Sequence, residues 1–529
     1  MKIVNKLYIA ILGSLVGFAS CKKDLNLTQL NSVTADNIYT SAAAYKEGLV
    51  KVYASYAVTS SQGPASSDLG GIDAGTSDFL RLYWMAQELP TDEAICSWQD
   101  VGIPDLNYST WTSSNTFLLG LYTRSIYQIT IANEFLKEST DDKLSARNIS
   151  SDSLGLIKQY RAEARFIRAY QYWVLMDMFG NPPFVTEYST IGTTNPPQIK
   201  RADLFKYVET ELLDIEDSLV TARDNEYGRA DQGADWALLS RLYLNAGVYT
   251  GTTKYDSAIL YSSKVIDAGY SLNTTYANLF KGDNNLNNNE EILTINYDGV
   301  NTQNYGGTTY IINAEVSSAM GPTKFGIPTG GWGGNRSRSP LPNSFTDNTG
   351  ATDTRAMFYI TSSSTTTITD PSTFTQGYAL TKWTNLTSTG ATPASIGGTY
   401  CSTDFPLFRL AEVYLNYAEA VLRGGAGGST SQALAYVNLL RQRAYGSTSG
   451  NFGSITLTDL LSEKMREMYW EATRRTDLIR YGMFTGSSYV WPWKGGNASG
   501  IGTSSYRDIY PLPLNDVTTN TNLTQNTGY

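Results

Sequence analysis

Residues 157–179 read IKQYRAEARFIRAYQYWVLMDMF and carry the strongest helical pattern of the chain. Ala162, Phe166 and Ala169 recur at spacings of three and four residues, so they share one face of a helix. The sequence FGNPP follows, and Gly180 with the prolines after it disfavours continuation of the helix. This stretch predicts a long helix that packs an apolar face against neighbouring helices.

Further helices are predicted on both sides of this one, and several of them form pairs. The same apolar periodicity marks 42–57, 116–137, 203–219, 234–246, 256–268, 407–422, 431–444 and 458–481. Two pairs carry alanines where their helices would touch. They are 234–246 with 256–268, and 407–422 with 431–444. Such pairs are similar to tetratricopeptide repeats, although their spacing is irregular. We therefore predict a mostly α fold of tetratricopeptide-like helix pairs.

Two segments interrupt the helical pattern. Residues 58–113 and about 270–405 are rich in Gly, Ser, Thr and Asn, and the runs EILTINYDGV and TTYIINAEV predict short strands in the second segment. Function tends to lie on such loops. We predict one unit over 21–529, in which a helical scaffold (about 40–57, 114–270 and 405–481) surrounds an irregular, loop-rich domain whose two excursions bind the ligand.

Composition excludes several classes of function. The 529 residues are 41% hydrophobic and 17% charged, which is typical of a globular protein. A net charge of −9 and the lack of a basic stripe argue against a nucleic-acid partner. The chain contains no histidine, which excludes His-based acid–base catalysis, Ser-His-Asp triads and His metal sites.

The three cysteines form neither a disulfide framework nor a zinc motif. Cys96 and Cys401 are expected to be two separate buried thiols, with a disulfide between them as the alternative. The third, Cys21, follows a basic and then an apolar stretch in MKIVNKLYIAILGSLVGFASC, which predicts a signal peptide over 1–20. The run FASC resembles a bacterial lipobox, so we expect acylation of Cys21 and a membrane anchor. Simple secretion with a free cysteine is the alternative.

Several long motifs resemble one family. They are RAEARFIRAYQYWVLMDMFGNPPFVTE (161–187), FPLFRLAEVYLNYAEAVLRGG (405–425), EKMREMYWEATRRTDLIRYGMF (463–484) and the closing YPLPLNDVTTNTNLTQNTGY. Together with the lipobox they resemble the SusD/RagB family of starch-utilisation outer-membrane lipoproteins nearly from end to end. The resemblance implies a surface-exposed, lipid-anchored glycan-binding protein of the outer membrane. It would form a lid on a SusC-like TonB-dependent transporter that imports oligosaccharides.

The resemblance also implies a binding site. In IPTGGWGGNRSRSP (327–340) Trp332 stands between two pairs of glycines, where no helix or strand period runs. The family's binding surface is an arc of two Trp and one Tyr, which corresponds here to Trp98, Tyr305 and Trp332, with Arg81 and Asp73 as polar partners. One ring that covers ~50 Å² of a pyranose face contributes only ~1–1.5 kcal/mol, so several rings must act together. The alternative is that each loop Trp has a structural role and covers an edge of the hydrophobic core.

The sequence departs from the family pattern after Trp98. The family has an Asn three residues further on, whereas this loop is one residue shorter, so Gln99 or Asp100 is the candidate to replace it. The resemblance, with its arc of rings, implies a curved α-1,4-glucan as ligand. Arg336 and Arg338 flank the Trp332 loop as either rim ligands or solubilising charges.

One segment has the oxygen-rich composition of a metal site. GDNNLNNNEE (282–291) clusters hard oxygen ligands, which favour Ca²⁺, and Asp283 is the candidate ligand. The segment lacks the spacing of an EF-hand loop, so a solvated turn is the alternative reading. We expect no required cofactor and at most a structural calcium ion.

Three functions therefore compete at this stage. The first is a non-catalytic receptor for starch-like oligosaccharides. The second is a glycoside hydrolase, which needs two carboxylates that no local signature selects here. The third is a receptor for a peptide or another glycan. We expect a binding protein and not an enzyme.

Overall fold

The computed structural model describes residues 35–189, 192, 194–286 and 288–529. The predicted signal peptide (1–20) and the predicted lipidation site Cys21 lie outside these residues. No helix in the described ranges is both long enough and apolar enough to cross a membrane.

Helices dominate the described chain, as predicted. They are α1 (Ala35–Ile38), α2 (Ala42–Ala57), α3 (Phe79–Glu88), α4 (Ile103–Tyr108), α5 (Thr116–Glu138), α6 (Asp141–Ala146), α7 (Ser151–Phe179), α8 (Arg201–Ile215), α9 (Gln232–Leu244), α10 (Ala246–Thr250), α11 (Tyr255–Asp267), α12 (Gly307–Glu315), α13 (Pro340–Asn343), α14 (Leu410–Leu422), α15 (Thr430–Tyr445), α16 (Leu457–Met468), α17 (Arg474–Arg480) and α18 (Leu514–Thr519). The long central helix α7 begins six residues earlier than its apolar pattern and ends at the predicted Phe179.

The predicted helix pairs are confirmed. α9 packs on α11 and α14 packs on α15, while α5, α7 and α8 pack in series. Alanines at the contacts, among them Ala237, Ala258 and Ala418, are fully or almost fully buried. Their small side chains let helix axes approach closely, so the helices form one scaffold in which α11 also packs on α14.

Short strands form three antiparallel two-stranded sheets. The strands are β1 (Ala94–Cys96), β2 (Glu291–Ile295), β3 (Asn335–Ser337), β4 (Phe358–Tyr359), β5 (Ala379–Leu380) and β6 (Phe405–Arg409). β1 pairs with β3, β2 with β6 and β4 with β5. The β1–β3 pair joins the two loop-rich segments of the sequence, which matters for the site described below.

Two predictions of local structure were wrong. TTYIINAEV was predicted as a strand but forms most of α12, in which every residue from Gly307 to Glu315 is buried. A short run that is buried on all sides has no period that separates helix from strand. The predicted helix over 458–481 is two helices, because Trp470 and Ala472 adopt left-handed φ angles of 66° and 58° between α16 and α17.

A cluster of buried ion pairs holds α16 in place. We call it the charge cluster, and its members are Glu290, Arg355, Arg409, Arg443, Glu463, Glu467 and Glu471. Arg409 contacts Glu467 at 2.7 Å and Glu471 at 2.6 Å, and these side chains are at most 1% exposed. The charged side chains of α17 form further buried ion pairs: Arg474 with Asp92, Arg475 with Asp177, Asp477 with Lys464 and Arg480 with Glu419.

Candidate functional site

The β1–β3 pair brings the Trp98 loop to the Trp332 loop. Cys96 at the end of β1 lies opposite Asn335 at the start of β3. Beyond the strands, the Ser97 amide donates to the Gly334 carbonyl oxygen at 2.9 Å, and the Ser97 hydroxyl donates to that of Gly333 at 3.1 Å. Trp98 and Trp332 therefore extend from two adjoining backbone segments that are far apart in sequence.

The Trp332 loop is also hydrogen-bonded to α12. The amide of Trp332 donates to the Asn313 carbonyl oxygen at 2.7 Å, and that of Gly334 donates to the Ala314 carbonyl oxygen at 2.7 Å. Tyr305 lies just before the start of the same helix. Its ring is 6.4 Å from the Trp332 ring between centroids, at an angle of 47°. Backbone hydrogen bonds to α12 thus hold the Trp332 loop beside Tyr305, which precedes that helix in the chain.

The three rings lie together at the surface, and we call Trp98, Tyr305 and Trp332 the aromatic platform. Tyr305 is 40% exposed, and both tryptophans are half-buried. Six of the ten tryptophans of the chain are instead fully buried: Trp84, Trp111, Trp173, Trp383, Trp470 and Trp491. Trp98 and Trp332 also pack against the core, and Tyr305 contacts Trp332 and Tyr400. The three residues are therefore held in place while each stays partly exposed.

The glycines beside Trp332 permit close packing within the protein. A Cβ atom on Gly334 would lie 2.5 Å from Cε2 of Trp98, and one on Gly330 would lie 1.7 Å from Oδ1 of Asn313. Gly331 and Gly333 have φ angles of 92° and 58°, which residues other than glycine rarely adopt. The loop is glycine-rich because it must turn sharply and lie against Trp98 and α12.

Arg81 borders the platform on the side of Trp98. Its guanidinium carbon lies 5.9 Å from the Trp98 ring centroid and 4.8 Å from that of Tyr310. Among the described residues, the buried Nε atom of Arg81 has no hydrogen-bond partner. The predicted residues Asp73, Arg81 and Asp100 line one open cleft of ≈ 440 Å³. Gln99 is exposed, but its amide donates to the Ser97 carbonyl oxygen at 3.0 Å.

Asp73 is held in its charged form. Desolvation opposes the negative charge, but hydrogen bonds from Thr76 and Gly75 and the charge on Arg81 outweigh it, so the pKa of Asp73 is lowered. The Thr76 hydroxyl donates to Oδ2 of Asp73 at 2.6 Å. A carboxylate that accepts hydrogen bonds and a guanidinium that donates them are the groups that recognise sugar hydroxyls.

Asp78 positions two parts of the site, and no motif in the sequence indicates this role. Its Oδ1 accepts from the amide of Arg81 at 2.7 Å and from that of Gly307 at 2.8 Å, while Oδ2 accepts from the Asn304 side chain. A Cβ atom on Gly306 would lie 2.0 Å from Cγ of Asp78. The glycines after Tyr305 thus bring the chain close to Asp78, which ties the Tyr305 loop to the helix that carries Arg81.

Two further aromatic residues adjoin the platform. Tyr400 is buried behind Tyr305, with ring centroids 5.4 Å apart, and its pKa is raised by burial and by the hydrogen bond to Tyr305. Cγ of Phe374 lies 3.7 Å from where a Cβ on Gly333 would stand, and Phe374 is half-buried. The GGTY sequence at 397–400 has the same glycine-pair signature as Tyr305 and Trp332, so Tyr400 was within reach of the sequence analysis.

Both expectations for Arg336 and Arg338 were wrong. The two side chains are completely buried, and they donate to backbone carbonyl oxygens instead of to ligand or solvent. Arg336 binds those of Gln376 and Pro371, each at 2.7 Å. β3 and the residue after it are buried on both faces, so both guanidiniums lie inside the protein, where burial lowers their pKa values.

Asp283 already has partners in the described chain. Its Oδ1 accepts from the Ser388 amide at 2.7 Å and its Oδ2 from the Ser388 hydroxyl at 2.6 Å. Across the residues that the structure describes, no three acidic or cysteine side chains come together as a metal site. Calcium binding at Asp283 therefore stays a prediction, and the ion would have to compete with Ser388.

Cys96 and Cys401 are separate, buried thiols, as expected. Burial raises the pKa of Cys96 to about 12, so the thiol stays protonated at neutral pH. Although Cys96 lies only two residues from Trp98, it supplies no nucleophile to the site.

An apolar cavity of ≈ 310 Å³ lies elsewhere, between α2, α7 and the 226–229 loop. Its lining includes Tyr56, Phe166, Tyr170 and Leu407. It offers few polar groups compared with the cleft beside Trp98. The aromatic platform, which combines exposed rings with charged neighbours, is therefore the stronger candidate for a polar ligand that has apolar faces.

Residues 241–529 match the family described as the SusD family, and residues 86–244 match one described as starch-binding associating with outer membrane. The starch-binding protein SusD of Bacteroides thetaiotaomicron is 37% identical, and the alignment covers 98% of this chain and 97% of that protein.

Solved structures share the fold. The surface glycan-binding protein A from Bacteroides thetaiotaomicron in complex with laminarihexaose superposes with a TM-score of 0.69 at 19% identity, covering 92% of this chain and 100% of that one. A laminarin binding SusD-like protein superposes with a TM-score of 0.68 at 20% identity, covering 93% and 100%. At this level of identity the likeness shows the architecture alone.

Proposed function

We propose that this chain, which belongs to the SusD family, is a non-catalytic cell-surface protein that captures α-1,4-glucan oligosaccharides. The observation that carries the proposal is the aromatic platform. Three rings from three distant parts of the chain share one surface, beside a guanidinium and a carboxylate. This combination suits a ligand with apolar faces and a rim of hydroxyl groups.

The energetics favour an oligosaccharide over a single sugar. One ring contributes only ~1–1.5 kcal/mol by covering a pyranose face, which corresponds to about tenfold in affinity. Rings that are already fixed by the core lose little conformational entropy on binding. A ligand that spans Trp98, Tyr305 and Trp332 therefore gains several such increments at once.

The choice of α-1,4-glucan rests on the relative with 37% identity, whose name specifies starch. The tilt of 47° between the Tyr305 and Trp332 rings gives the platform a bend, which matches a curved chain better than a flat one. A different glycan is the second candidate, because structural neighbours are named for laminarin and laminarihexaose. A peptide is the third candidate, and no contact in the site favours it.

Binding without catalysis agrees with the chemistry of the site. A glycosidase needs a carboxylic acid whose pKa is raised so that it can protonate the leaving group. The pKa of Asp73 is shifted the other way. The chain also has no histidine to act as acid or base.

Location at the outer membrane follows from the family and from the lipobox-like FASC sequence. In this proposal Cys21 carries the acyl chains, and the bound oligosaccharide passes to a SusC-like TonB-dependent transporter. Mass spectrometry of the mature N-terminus tests the first part. An unmodified chain that begins at another residue would contradict the lipid anchor.

Calorimetric titration with a panel of ligands tests the proposed specificity. The panel contains maltose, maltotriose, maltoheptaose, a cyclic maltooligosaccharide, laminarihexaose and a peptide mixture. We expect maltoheptaose and the cyclic sugar to bind more tightly than maltose, and no release of shorter sugars over hours. Binding of laminarihexaose alone would replace α-1,4-glucan by another glycan, and steady product release would contradict the non-catalytic role.

A further inference from the structure

We propose that Tyr108 and Trp493 form a second carbohydrate subsite, which binds the distal sugars of an α-glucan chain whose first sugars occupy the aromatic platform. We call this pair the distal pair. The inference rests on the proposed function and extends it to long ligands. It assigns a role to the partly exposed Trp493 in the WPWKGG sequence (491–496), in which Trp491 and Lys494 are buried.

The distal pair resembles the two tryptophans of the platform in its partial exposure. The two rings are 5.8 Å apart between centroids, at 37°, and both are half-buried. Of the four tryptophans that are not fully buried, Trp236 lies on α9 and donates to Glu216. The other three, Trp98, Trp332 and Trp493, are loop residues with part of the ring open to solvent.

Trp493 adopts a backbone conformation that is unfavourable for its residue type. Its φ angle is 71°, in the left-handed region that normally suits glycine. Its own amide donates to the Asn497 carbonyl oxygen at 2.9 Å, and its indole Nε1 donates to that of Ile368 at 2.8 Å. Strain of this kind persists only where the surroundings impose it, and it is concentrated at functional sites.

The surrounding loop is firmly held, which the strain requires. The buried Lys494 ammonium donates to the Tyr489 carbonyl oxygen at 2.7 Å and lies 4.2 Å from the Trp491 ring centroid. Tyr108 is fixed through its neighbour Asn107, whose side chain binds both the amide and the carbonyl of Cys96 at 3.0 and 2.8 Å. Both rings of the distal pair are therefore presented without a large entropy cost on binding.

One loop connects the distal pair to the platform. Residues 365–377 contact Trp493 through Ile368 at one end and the Trp332 loop through Phe374 at the other. Gln376 orders this loop, because its Oε1 accepts from the amides of Thr369 and Asp370 at 2.7 and 2.8 Å. The loop thus links the distal pair to the Trp332 loop, and the half-buried Phe374 ring lies at its platform end.

Polar groups for sugar hydroxyls adjoin the distal pair. Asn497 and Ser499 are exposed in the same loop as Trp493, and the Gly496 position lies 4.0 Å from Cβ of Tyr108. Oδ1 of Asn497 accepts from the Ser499 amide at 3.0 Å, so the Asn497 NH2 group and the Ser499 hydroxyl are the neutral polar groups that this loop offers to sugar hydroxyls. A neutral glycan fits this surface, since it carries both apolar faces and hydroxyls.

Calorimetry with maltooligosaccharides of increasing length tests the proposal. The ligands run from maltotriose to a chain of about 15 glucose units. The key variant is Trp493→Gly, because glycine tolerates the left-handed φ and removes only the ring. Tyr108→Ala removes the other ring from a normal helical backbone, and Tyr188→Ala is the control, because Tyr188 is 81% exposed and lies outside both surfaces.

We expect Trp493→Gly and Tyr108→Ala each to weaken binding of the long chain about fivefold to tenfold and to leave maltotriose binding unchanged. Tyr188→Ala should match the unchanged protein with every ligand. If Trp493→Gly does not fold, Tyr108→Ala and Trp493→Phe decide the matter, and Trp493→Phe should weaken long-chain binding less than the loss of Tyr108.

The outcomes separate this inference from the proposed function. Suppose that the unchanged protein binds maltotriose, and that Tyr108→Ala and Trp493→Gly bind the long chain as tightly as it does. This result would leave the proposed function intact and overturn the distal subsite. Equal losses for maltotriose and the long chain would also overturn it, because the rings would then act on the platform itself. If the unchanged protein binds no maltooligosaccharide, the proposed function fails and the distal subsite fails with it.

Discussion

The aromatic platform and the charge cluster each place side chains in the environment that they usually avoid. The platform leaves large rings partly open to solvent, with Tyr305 40% exposed. The charge cluster buries carboxylates and guanidiniums, with Glu467 and Arg355 completely inaccessible. The exposed ring faces are available to a ligand, whereas the buried ions are already paired within the protein.

This difference separates function from stability. The charge cluster joins α16 to β6, α15 and the chain around Arg355, so its ion pairs hold distant segments together. The platform rings sit on loops that other contacts already fix. Changes in the cluster should therefore affect folding and leave the ligand untouched, and changes in the platform should do the reverse.

The largest effect is expected for Glu467→Ala. The substitution leaves Arg409, Arg443 and Arg355 buried with fewer counter-charges, and breaking a buried pair costs ~3–5 kcal/mol. Urea denaturation should show this loss in the free energy of unfolding. The variant that remains folded should bind maltoheptaose as the unchanged protein does. A loss of less than ~1 kcal/mol would mean that the cluster is not needed for the fold.

The next effect concerns binding. Trp332→Ala or Trp98→Ala should weaken maltoheptaose binding about tenfold or more, because truncation at a desolvated hot spot costs ≥ ~2 kcal/mol. The melting temperature should change little. Calorimetry and thermal melts of both variants, with Tyr188→Ala as the exposed aromatic control, check this. A large fall in melting temperature would mean that the rings are plugs of the core.

Asp78→Asn should show an intermediate behaviour, since this residue belongs to the frame of the platform. The substitution replaces one carboxylate oxygen by an NH2 group. One of the two acceptor atoms that bind the backbone amides of Arg81 and Gly307 and the side chain of Asn304 is therefore lost. We expect a stability loss of ~1 kcal/mol or more and a severalfold weaker affinity. In a Tyr305→Ala background the effect of Asp78→Asn on affinity should shrink, which a double-mutant cycle measures. An undiminished effect would contradict a role through Tyr305.

The smallest effect is expected for the dependence of binding on pH, which contrasts with the dependence of stability on pH. Burial opposes the charged forms of Glu463 and Glu467, but the surrounding arginines outweigh it, so the pKa of Glu463 falls to about 2 and that of Glu467 is also lowered. Their contribution to stability is complete above the unfolded pKa of ~4.3 and is lost as pH falls towards the folded value.

Stability should therefore decline below about pH 5, whereas affinity for maltoheptaose should stay constant between pH 8 and 5. The lowered pKa of Asp73 keeps that carboxylate charged throughout this range. Denaturation and calorimetry at matched pH values measure both quantities. Constant stability from pH 5 to 3, or a change in affinity between pH 8 and 5, would contradict the separation of the two regions.

Much of the scaffold could be predicted because helical periodicity is a local signal. The pairs α9–α11 and α14–α15 follow from apolar spacing and small contact residues. The fate of TTYIINAEV could not be predicted, since a segment buried on all sides carries no period. The break between α16 and α17 depends on the burial of Trp470, which only the tertiary contacts with Trp84 reveal.

The candidate site shows the same division. Its residues could be named from the resemblance, but the sequence could not reveal that β1 and β3 pair and so join Trp98 to Trp332. Asp78, Phe374 and the buried orientation of Arg336 depend on contacts across the fold. A glycine pair accompanies each of Tyr305, Trp332 and Tyr400, but only the structure shows that Gly306 packs on Asp78 and Gly334 on Trp98.

The most direct test of the central claim is calorimetry of the triple variant Trp98→Ala, Tyr305→Ala, Trp332→Ala with maltoheptaose, beside a thermal melt of the same sample. If the aromatic platform is the α-glucan site, the triple variant should show no measurable heat of binding and should melt near the temperature of the unchanged protein. Full-strength binding by a folded triple variant would contradict the account and place the sugar site elsewhere on the molecule.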